Sequence, residues 1–225
     1  MSDPHGQRKA RGAFHTPPEI ADFITRWAVR SSDDRVLEPS CGEAVFMLSV
    51  ADRKRALGAG LFAGEGLHGI ELHEPSAREA TAQLEEAGVQ PQIAVGDFFD
   101  LQAEPRYDAV VGNPPYVRYQ GFQGDARSKA QQAALQAGVR LSGLASSWAA
   151  FVVHASRFLR EDGRMGLVLP AELLAVGYAG EVRNYLLDRF DQLRLVMFEE
   201  LVFPDVQEEV VLLLAEGKGS TSHFK

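Results

Sequence analysis

The stretch Asn113-Pro114-Pro115-Tyr116 follows directly on a short apolar run, Tyr107 to Val111, and its residue types suit one kind of chemistry. Proline has no backbone N–H, so the loop gives up donors while keeping the carbonyls of Asn113 and Pro114. Asn113 adds a side-chain carbonyl. Two acceptors can therefore converge on one NH2 group, and the stiff prolines limit the entropy lost on binding. An amino group on an aromatic ring is a poor nucleophile, because its lone pair is delocalised into the ring. Acceptors that pull on its hydrogens favour a pyramidal nitrogen, whose lone pair can attack a methyl sulfonium placed opposite in line. Tyr116 offers a flat face for the ring itself. No general base is required before attack, since the developing ammonium can shed its proton afterwards. The bland alternative is a proline-rich turn with Tyr116 as a packing residue.

Three other runs end in residues of complementary chemistry. Val36 to Phe46, "VLEPSCGEAVF", places Glu38 at a strand tip and Gly42 where a ligand can approach the backbone closely. Its spacing matches neither a dinucleotide fingerprint nor a phosphate-cradling loop. An acid there repels a pyrophosphate but can hold an ammonium group, such as the one S-adenosylmethionine carries. "GIELHE" ends in Glu71, placed to bond ribose hydroxyls. "GDFFD" offers Asp97 to an adenine amino group and Phe98 to its ring. Taken singly, Asp97 reads equally well as a helix cap, Glu71 as a surface acid and Phe98 as core packing.

These residues must be positioned by the elements around them. Buried-strand patterns occur at Arg35 to Leu37, Leu67 to Glu71, Gln92 to Val95, Tyr107 to Val111, Met165 to Leu169, Leu193 to Phe198 and Glu209 to Ala215. Helical patterns lie between most of them, at Pro17 to Arg30, Ala44 to Leu57, Ser76 to Ala87, Ser147 to Leu159 and Tyr178 to Phe190. The alternation predicts an α/β fold, a mostly parallel seven-stranded sheet with helices on both faces, whose ligand crevice lies beyond the carboxyl ends of the strands. The last two strands are joined by the helix-free "EELVFPDVQE", too short for a crossover, which predicts an antiparallel pair at the sheet's edge. Ser147 to Leu159 is expected to present one apolar stripe, and "REDGR" to turn the chain out of it. Residues 118–146 form a long insertion, expected to be mobile: either a DNA-contacting lid with Arg118, Arg127, Lys129 and Arg140, or a surface loop with one short amphipathic helix.

With 225 residues, 45% of them hydrophobic, the chain suits one domain with a substantial core. A formal charge of −8 argues against a face that binds nucleic acid by bulk electrostatics. The single cysteine, Cys41, excludes an internal disulfide framework, and no residue cluster has metal-ligand spacing, so no metal is expected. No apolar run approaches a membrane span and the start is polar, which points to a cytoplasmic protein with no membrane partner.

In their order along the chain, "FHTPPEIADFI", "LEPSCGEAVF", "GIELHE", "GDFFD", "VVGNPPY", "LREDGRMGLVLPAELL" and "VFPDVQEEVVLLL" resemble the motifs of Rossmann-like class I S-adenosylmethionine-dependent methyltransferases. More narrowly, they are similar to those of gamma-class adenine-N6 DNA methyltransferases of restriction–modification systems. That resemblance implies that Thr16 and Pro17 border the methionine part of S-adenosylmethionine, with Glu38, Pro39, Ser40, Cys41 and Gly42 around its amino acid end and Asn113 nearby. It gives Glu71 to the ribose, and Asp97 and Phe98 to the adenine ring. Asn113 and Pro114, in one rigid motif with Pro115, would accept from the target amino group. Tyr116 would stack on an adenine flipped out of double-stranded DNA, and Phe203 would close its other face. Ala44 stands where many relatives have a second glycine, and is expected to tighten the cofactor pocket.

The resemblance also sets an expected division of the chain. Residues 1–33 form an N-terminal segment and helix contributing to the cofactor pocket, 34–216 the catalytic domain, and 217–225 a polar tail or linker start. A target-recognition domain is expected from a separate or longer chain. Three other readings stand beside this one. A protein-glutamine methyltransferase would carry a helical substrate domain for which residues 1–33 are too few. RNA methylation uses the same loop chemistry. A cofactor-binding subunit of a DNA-modifying complex would not need the acceptor geometry.

Overall fold

The computed structural model describes residues 16–118, 120–198 and 209–225. Helix α1 (Pro18–Ala28) precedes strand β1 (Val36–Glu38), followed by α2 (Val45–Ala56), β2 (Leu67–Glu71), α3 (Glu74–Glu86), β3 (Gln92–Val95) and β4 (Tyr107–Gly112). The second half holds α4 (Gly124–Gln136), α5 (Ser147–Ser156), β5 (Leu159–Pro170), α6 (Glu172–Ala175), α7 (Gly180–Arg189), β6 (Phe190–Met197) and β7 (Val210–Lys218). The strands form one sheet in the order β3-β2-β1-β4-β5-β7-β6. The first five strands in that order pair in parallel, and β7 runs against both β5 and β6. The seven-stranded, mostly parallel sheet with antiparallel pairing at one edge is as the alternation predicts. The reversed strand, β7, lies one position in from that edge.

The order reverses at β1, whose two neighbours are β2 and β4. That reversal opens a crevice beyond the carboxyl ends of the strands, because the following loops diverge to opposite faces. The β1–β4 register pairs Val36 with Ala109 and Leu37 with Val110, so Glu38 and the residues entering Asn113 leave the sheet side by side.

One face of the sheet is covered by α1, α2 and α3, through Ile24, Phe46, Met47 and Leu84. The other is covered through Trp148, Phe151, Phe158 and Leu186. Helix α1 buries Ile20, Ala21, Ile24 and Ala28, the spacing that puts apolar residues on one stripe. Its Pro17 carbonyl accepts from the Ile20 and Ala21 amides, which fixes the turn leading out of Thr16. At its other end, the Asp34 carboxylate accepts from the Arg30 amide at 2.8 Å and from Arg164 of β5 at 3.1 Å.

Three local expectations differ from the structure. Helix α5 ends at Ser156, before Leu159, and all ten of its residues are buried. A single apolar stripe suits a helix packed on a sheet alone, whereas here α4 and α7 cover its remaining sides. "REDGR" lies inside β5. The register jumps from Tyr107 opposite Leu159 to Ala109 opposite Arg164, so the strand bulges there instead of starting afterwards. The insertion at 118–146 holds one helix, as its surface-loop reading allowed: the 13-residue α4, which buries Ala130, Ala133 and Ala134. The expected polar tail folds back: β7 runs to Lys218, and the Lys225 backbone exchanges hydrogen bonds with Leu193 and Leu195 of β6.

Gly166 of β5 is where α1 crosses closest to the sheet. A Cβ built there would stand 2.5 Å from Cγ2 of Ile24, a stiff β-branched residue with no exposed surface. Gly166→Ala should therefore lower the unfolding free energy by about 1–3 kcal/mol, as overpacking does. Denaturant titration checks this, and Ile24→Ala in the same chain should cost less than the sum of the two single changes.

Candidate functional site

The loop after β1 is shaped by a carboxylate from the neighbouring strand. The Gly42 amide donates to Glu71 Oε2 at 2.9 Å, while Glu71 Oε1 accepts from the His73 amide at 2.8 Å. The Cys41 amide donates to the Ile70 carbonyl at 2.9 Å, so the loop is held to the end of β2 twice. Gly42 has φ of +48°, the left-handed region that glycine enters without strain, and a Cβ there would meet no atom of the described residues within 4 Å. The open side of that glycine faces space a ligand can fill.

That space is a cavity of about 420 Å³ at the crevice. Thr16, Glu38, Pro39, Ser40, Cys41 and Gly42 line it, with Glu71, Asp97, Phe98 and Asn113 from the other strand ends. The structure thus brings together residues spread over almost 100 positions of sequence. Glu43, Glu38, Glu71 and Asp97 give the described lining four acids, and it includes no lysine or arginine. A cationic ligand with hydroxyl groups suits such walls, whereas a phosphate does not.

Glu38 is 2% exposed, and its Oε2 has no hydrogen-bond partner among the described residues. Burial, with the Glu71 charge adding to it, holds its carboxyl well above the ordinary glutamate range, against the pull of the Met47 amide. A cation brought to Oε2 would reverse that shift. Burial likewise pushes the Cys41 thiol up, with Glu38 and Glu71 adding, so it is an inert wall residue rather than a nucleophile.

Asn113 enters beside this acid. A Cβ on Gly112 would lie 3.6 Å from Glu38 Cγ, and the Ser40 hydroxyl donates to the Asn113 carbonyl at 3.3 Å. The Asn113 amide nitrogen donates to Thr16 Oγ1 at 3.1 Å, which leaves Oδ1 buried and without a partner among the described residues. The cavity therefore carries two unsatisfied buried oxygens, Glu38 Oε2 and Asn113 Oδ1. Native structures seldom leave such atoms unpaired unless a ligand takes them. The acidic walls, the open glycine and these two acceptors fit S-adenosylmethionine.

Other expected residues stand differently. Pro17 is absent from the described lining, where its role is to cap α1. Pro115 lines the cavity and Pro114 is buried beside it. The Tyr116 ring is 8% exposed and its hydroxyl donates to the Val168 carbonyl at 2.9 Å, which leaves little of its face open in this conformation. Asp97 caps the short turn Phe98–Asp100 by accepting from the Phe99 amide at 3.0 Å, so the capping role expected as its alternative is present within the cavity wall. Phe98 is 2% exposed and stacks on Phe151 with centroids 5.3 Å apart, so its face is spent on the core. Ala44 has φ of +62° and is fully buried away from the cavity, and so does not tighten it. Phe203 lies outside the described residues.

Several wall residues escaped sequence reasoning. Leu72, 71% exposed, lines the cavity directly after Glu71, and an apolar side chain left at a strand tip was the available signal. Phe122 and Ala126 come from the insertion, and Ser147 and Phe151 from α5. Lys129 of α4 pairs with Asp100 at 2.6 Å and reaches Asp97 at 3.7 Å, so the insertion's lysine is tied to the cavity rim. Among the described residues, no group of three or more His, Cys, Asp or Glu could hold a metal ion, and no helix is long and apolar enough to cross a membrane.

Comparison with known proteins adds to this geometry. Residues 4–221 match the family model described as N-6 DNA Methylase. The type II methyltransferase M.XamI of Xanthomonas campestris pv. amaranthicola is 28% identical over 90% of this chain, and M.PaeR7I of Pseudomonas aeruginosa is 27% identical over 96%. The chain spans only 38% and 42% of the length of those two relatives. Among solved structures, a modification subunit of a putative type I restriction enzyme from Vibrio vulnificus YJ016 superposes with a TM-score of 0.75. Its sequence identity is 20%, over 96% of this chain and 48% of that one.

Behind Phe98 and Phe99 lies His154, 1% exposed, its ring centroid 4.7 Å from that of Phe98. Burial, helped by the Arg157 charge, pushes its imidazole down to about 4. Between the ordinary histidine value of about 6.5 and that value, the unfolded chain binds a proton that the folded chain does not. Stability must then fall as pH falls through this window, by up to about 3 kcal/mol. Urea unfolding at pH 7.5 and pH 5 should show His154→Leu losing less stability on acidification than the wild type.

Proposed function

The chain belongs to the N-6 DNA methylase family, and from that premise we propose that it is the catalytic domain of an adenine-N6 DNA methyltransferase that uses S-adenosylmethionine. When bound, that cofactor supplies a methyl group on a positively charged sulfur. Glu38 holds the cofactor's ammonium group through its unpartnered oxygen, and the loop at Cys41 and Gly42 lies along the amino acid end. Glu71 takes the ribose hydroxyls on the lone pairs that its two amide bonds leave free, and Asp97 with the apolar Leu72 receives the adenine end. The acidic wall favours the cationic cofactor over its neutral thioether product, which aids release.

Asn113 Oδ1 and the Pro114 carbonyl accept the two hydrogens of the target amino group. They keep the nitrogen lone pair out of the ring system and aim it at the methyl carbon. With the cofactor bound, the nitrogen would gain its bond to the methyl carbon as that carbon's bond to sulfur is given up, and the nitrogen would release one proton to water. A target adenine must leave the duplex to reach these oxygens, and stacking against Tyr116 and Phe203 would offset the cost of a few kcal/mol. Choice of DNA site falls to a recognition domain on a longer or separate chain, as the acidic surface and the partial span of the relatives suggest.

One observation carries this reading: Asn113 Oδ1 and Glu38 Oε2, both buried and both unpartnered among the described residues, belong to two residues that line the same cavity. The direct test is transfer of labelled methyl from S-adenosylmethionine to unmethylated DNA, with RNA and a release factor as separate acceptors. Label should enter DNA as N6-methyladenine, and Asn113→Ala should lower the rate by at least about 100-fold, the scale for losing an oriented polar contact at the reacting centre. Label in RNA or the release factor alone would overturn the DNA assignment.

Glu38→Gln separates binding from stability. A group whose pKa is raised by folding contributes stability that is lost as pH rises, so removing its charge should make the ligand-free chain about 1–3 kcal/mol more stable at pH 7.5. The same change should weaken cofactor binding by about tenfold or more, measured by calorimetry.

A further inference from the structure

Ser147, the first residue of α5, sits 30 residues beyond Val117 in sequence yet bonds three times to the loop that ends at Val117. Its hydroxyl donates to the Pro115 carbonyl and accepts from the Val117 amide at 2.8 Å, while its own amide donates to the Val117 carbonyl at 3.0 Å. The geometry assigns Ser147 as a positioning residue: it fixes the two peptide groups on either side of Tyr116 and so sets the direction of that residue and of the acceptors before it. This assignment rests on the function proposed above.

The argument follows from chain geometry. The Pro115 carbonyl belongs to the peptide plane before Tyr116, and the Val117 amide to the plane after it. Because peptide planes are rigid, the φ and ψ of Tyr116 are the only soft rotations between them. One hydroxyl holding both planes leaves neither rotation free, and the bond from the Tyr116 hydroxyl to Val168 fixes the far end of the ring. Ser40 holds the Asn113 carbonyl in the same way. Among the described residues no donor reaches the Pro114 carbonyl, which with Asn113 Oδ1 is an acceptor that the proposed reaction requires to be free.

Ser147 is itself firmly placed. It is 2% exposed and lines the cavity. The Tyr178 hydroxyl donates its one proton to Glu172 and accepts from the hydroxyl of the preceding Ser146 at 3.2 Å, and Glu172 also accepts from Trp148 Nε1 at 3.3 Å. The start of α5 is thereby tied to α6, and the loop inherits that rigidity through one side chain.

The test compares Ser147→Ala with Ser147→Thr in the full chain, measuring kcat for methyl transfer to unmethylated DNA, cofactor affinity and hydrogen exchange at the Val117 amide. Ser147→Ala should lower kcat by about 10- to 100-fold, the scale of a misplacement near 1 Å, with cofactor Kd within about twofold of wild type. Its Val117 amide should exchange faster, and Ser147→Thr, which keeps the hydroxyl, should restore both readouts. Wild-type kcat in Ser147→Ala, or equal impairment in the threonine variant, would overturn the assignment. So would a loss of cofactor affinity in proportion to kcat. Should Ser147→Ala fail to fold, Ser147→Cys keeps a side chain of similar size with a weak donor, and the same split decides. A wild-type chain that methylates no DNA would refute the functional reading instead, and the Val117 exchange would still decide whether Ser147 holds the loop.

Discussion

A buried carboxylate with an unpartnered oxygen is a cost that folding normally avoids, and Glu38 carries one, without a partner among the described residues, at the tip of β1. The surrounding structure holds it there from several sides. Strand β1 is paired on both edges, Gly112 leaves room beside its side chain, and the Glu71 charge adds to the burial that disfavours its ionised form. The rest of the fold keeps the site in this unfavourable electrostatic state. A positive charge placed in the cavity relieves it, so the same atoms that weaken the ligand-free protein select its ligand. Stability and binding are coupled here through one oxygen.

The second constraint is rigidity in the acceptor loop. Two prolines limit the backbone from within, but they leave open which way the carbonyls face. That direction is imposed from outside, by Ser40 from the β1 loop, Thr16 from the entry to α1, and Ser147 from the start of α5. Each partner comes from a different layer of the domain. The loop is therefore as rigid as the packing between those layers, and overpacking at a distant point such as Gly166 bears on it through α1. The aromatic cluster of Phe98, Phe99, Phe151 and His154 has the same double role, since it is core on one side and cavity wall on the other.

The insertion between the acceptor loop and α5 is part of this arrangement. Helix α4 covers α5, which is why that helix is buried all round, and the segment sends Phe122 and Ala126 into the cavity wall. Lys129 bridges to the turn that Asp97 caps. The segment thereby completes the cavity, with the Lys129 charge directed to the acids at the rim.

Much of this was legible along the chain. The alternation of strands and helices determined the parallel sheet, and its position rule put Glu38, Glu71, Asp97 and Asn113 at strand ends, because parallel connections leave every such end on one side of the sheet. The acceptor chemistry of Asn113 and Pro114 follows from residue type alone, since a missing N–H and an amide carbonyl are covalent facts. Burial and partnership are not local properties. Whether Phe98 offers its face or spends it on Phe151, whether Asp97 caps a turn, whether Ala44 touches the cavity, and that Ser147 grips the loop from 30 residues away all depend on which layers come together. Covalent chemistry is written residue by residue, whereas the availability of each atom is decided by neighbours that only the folded chain supplies.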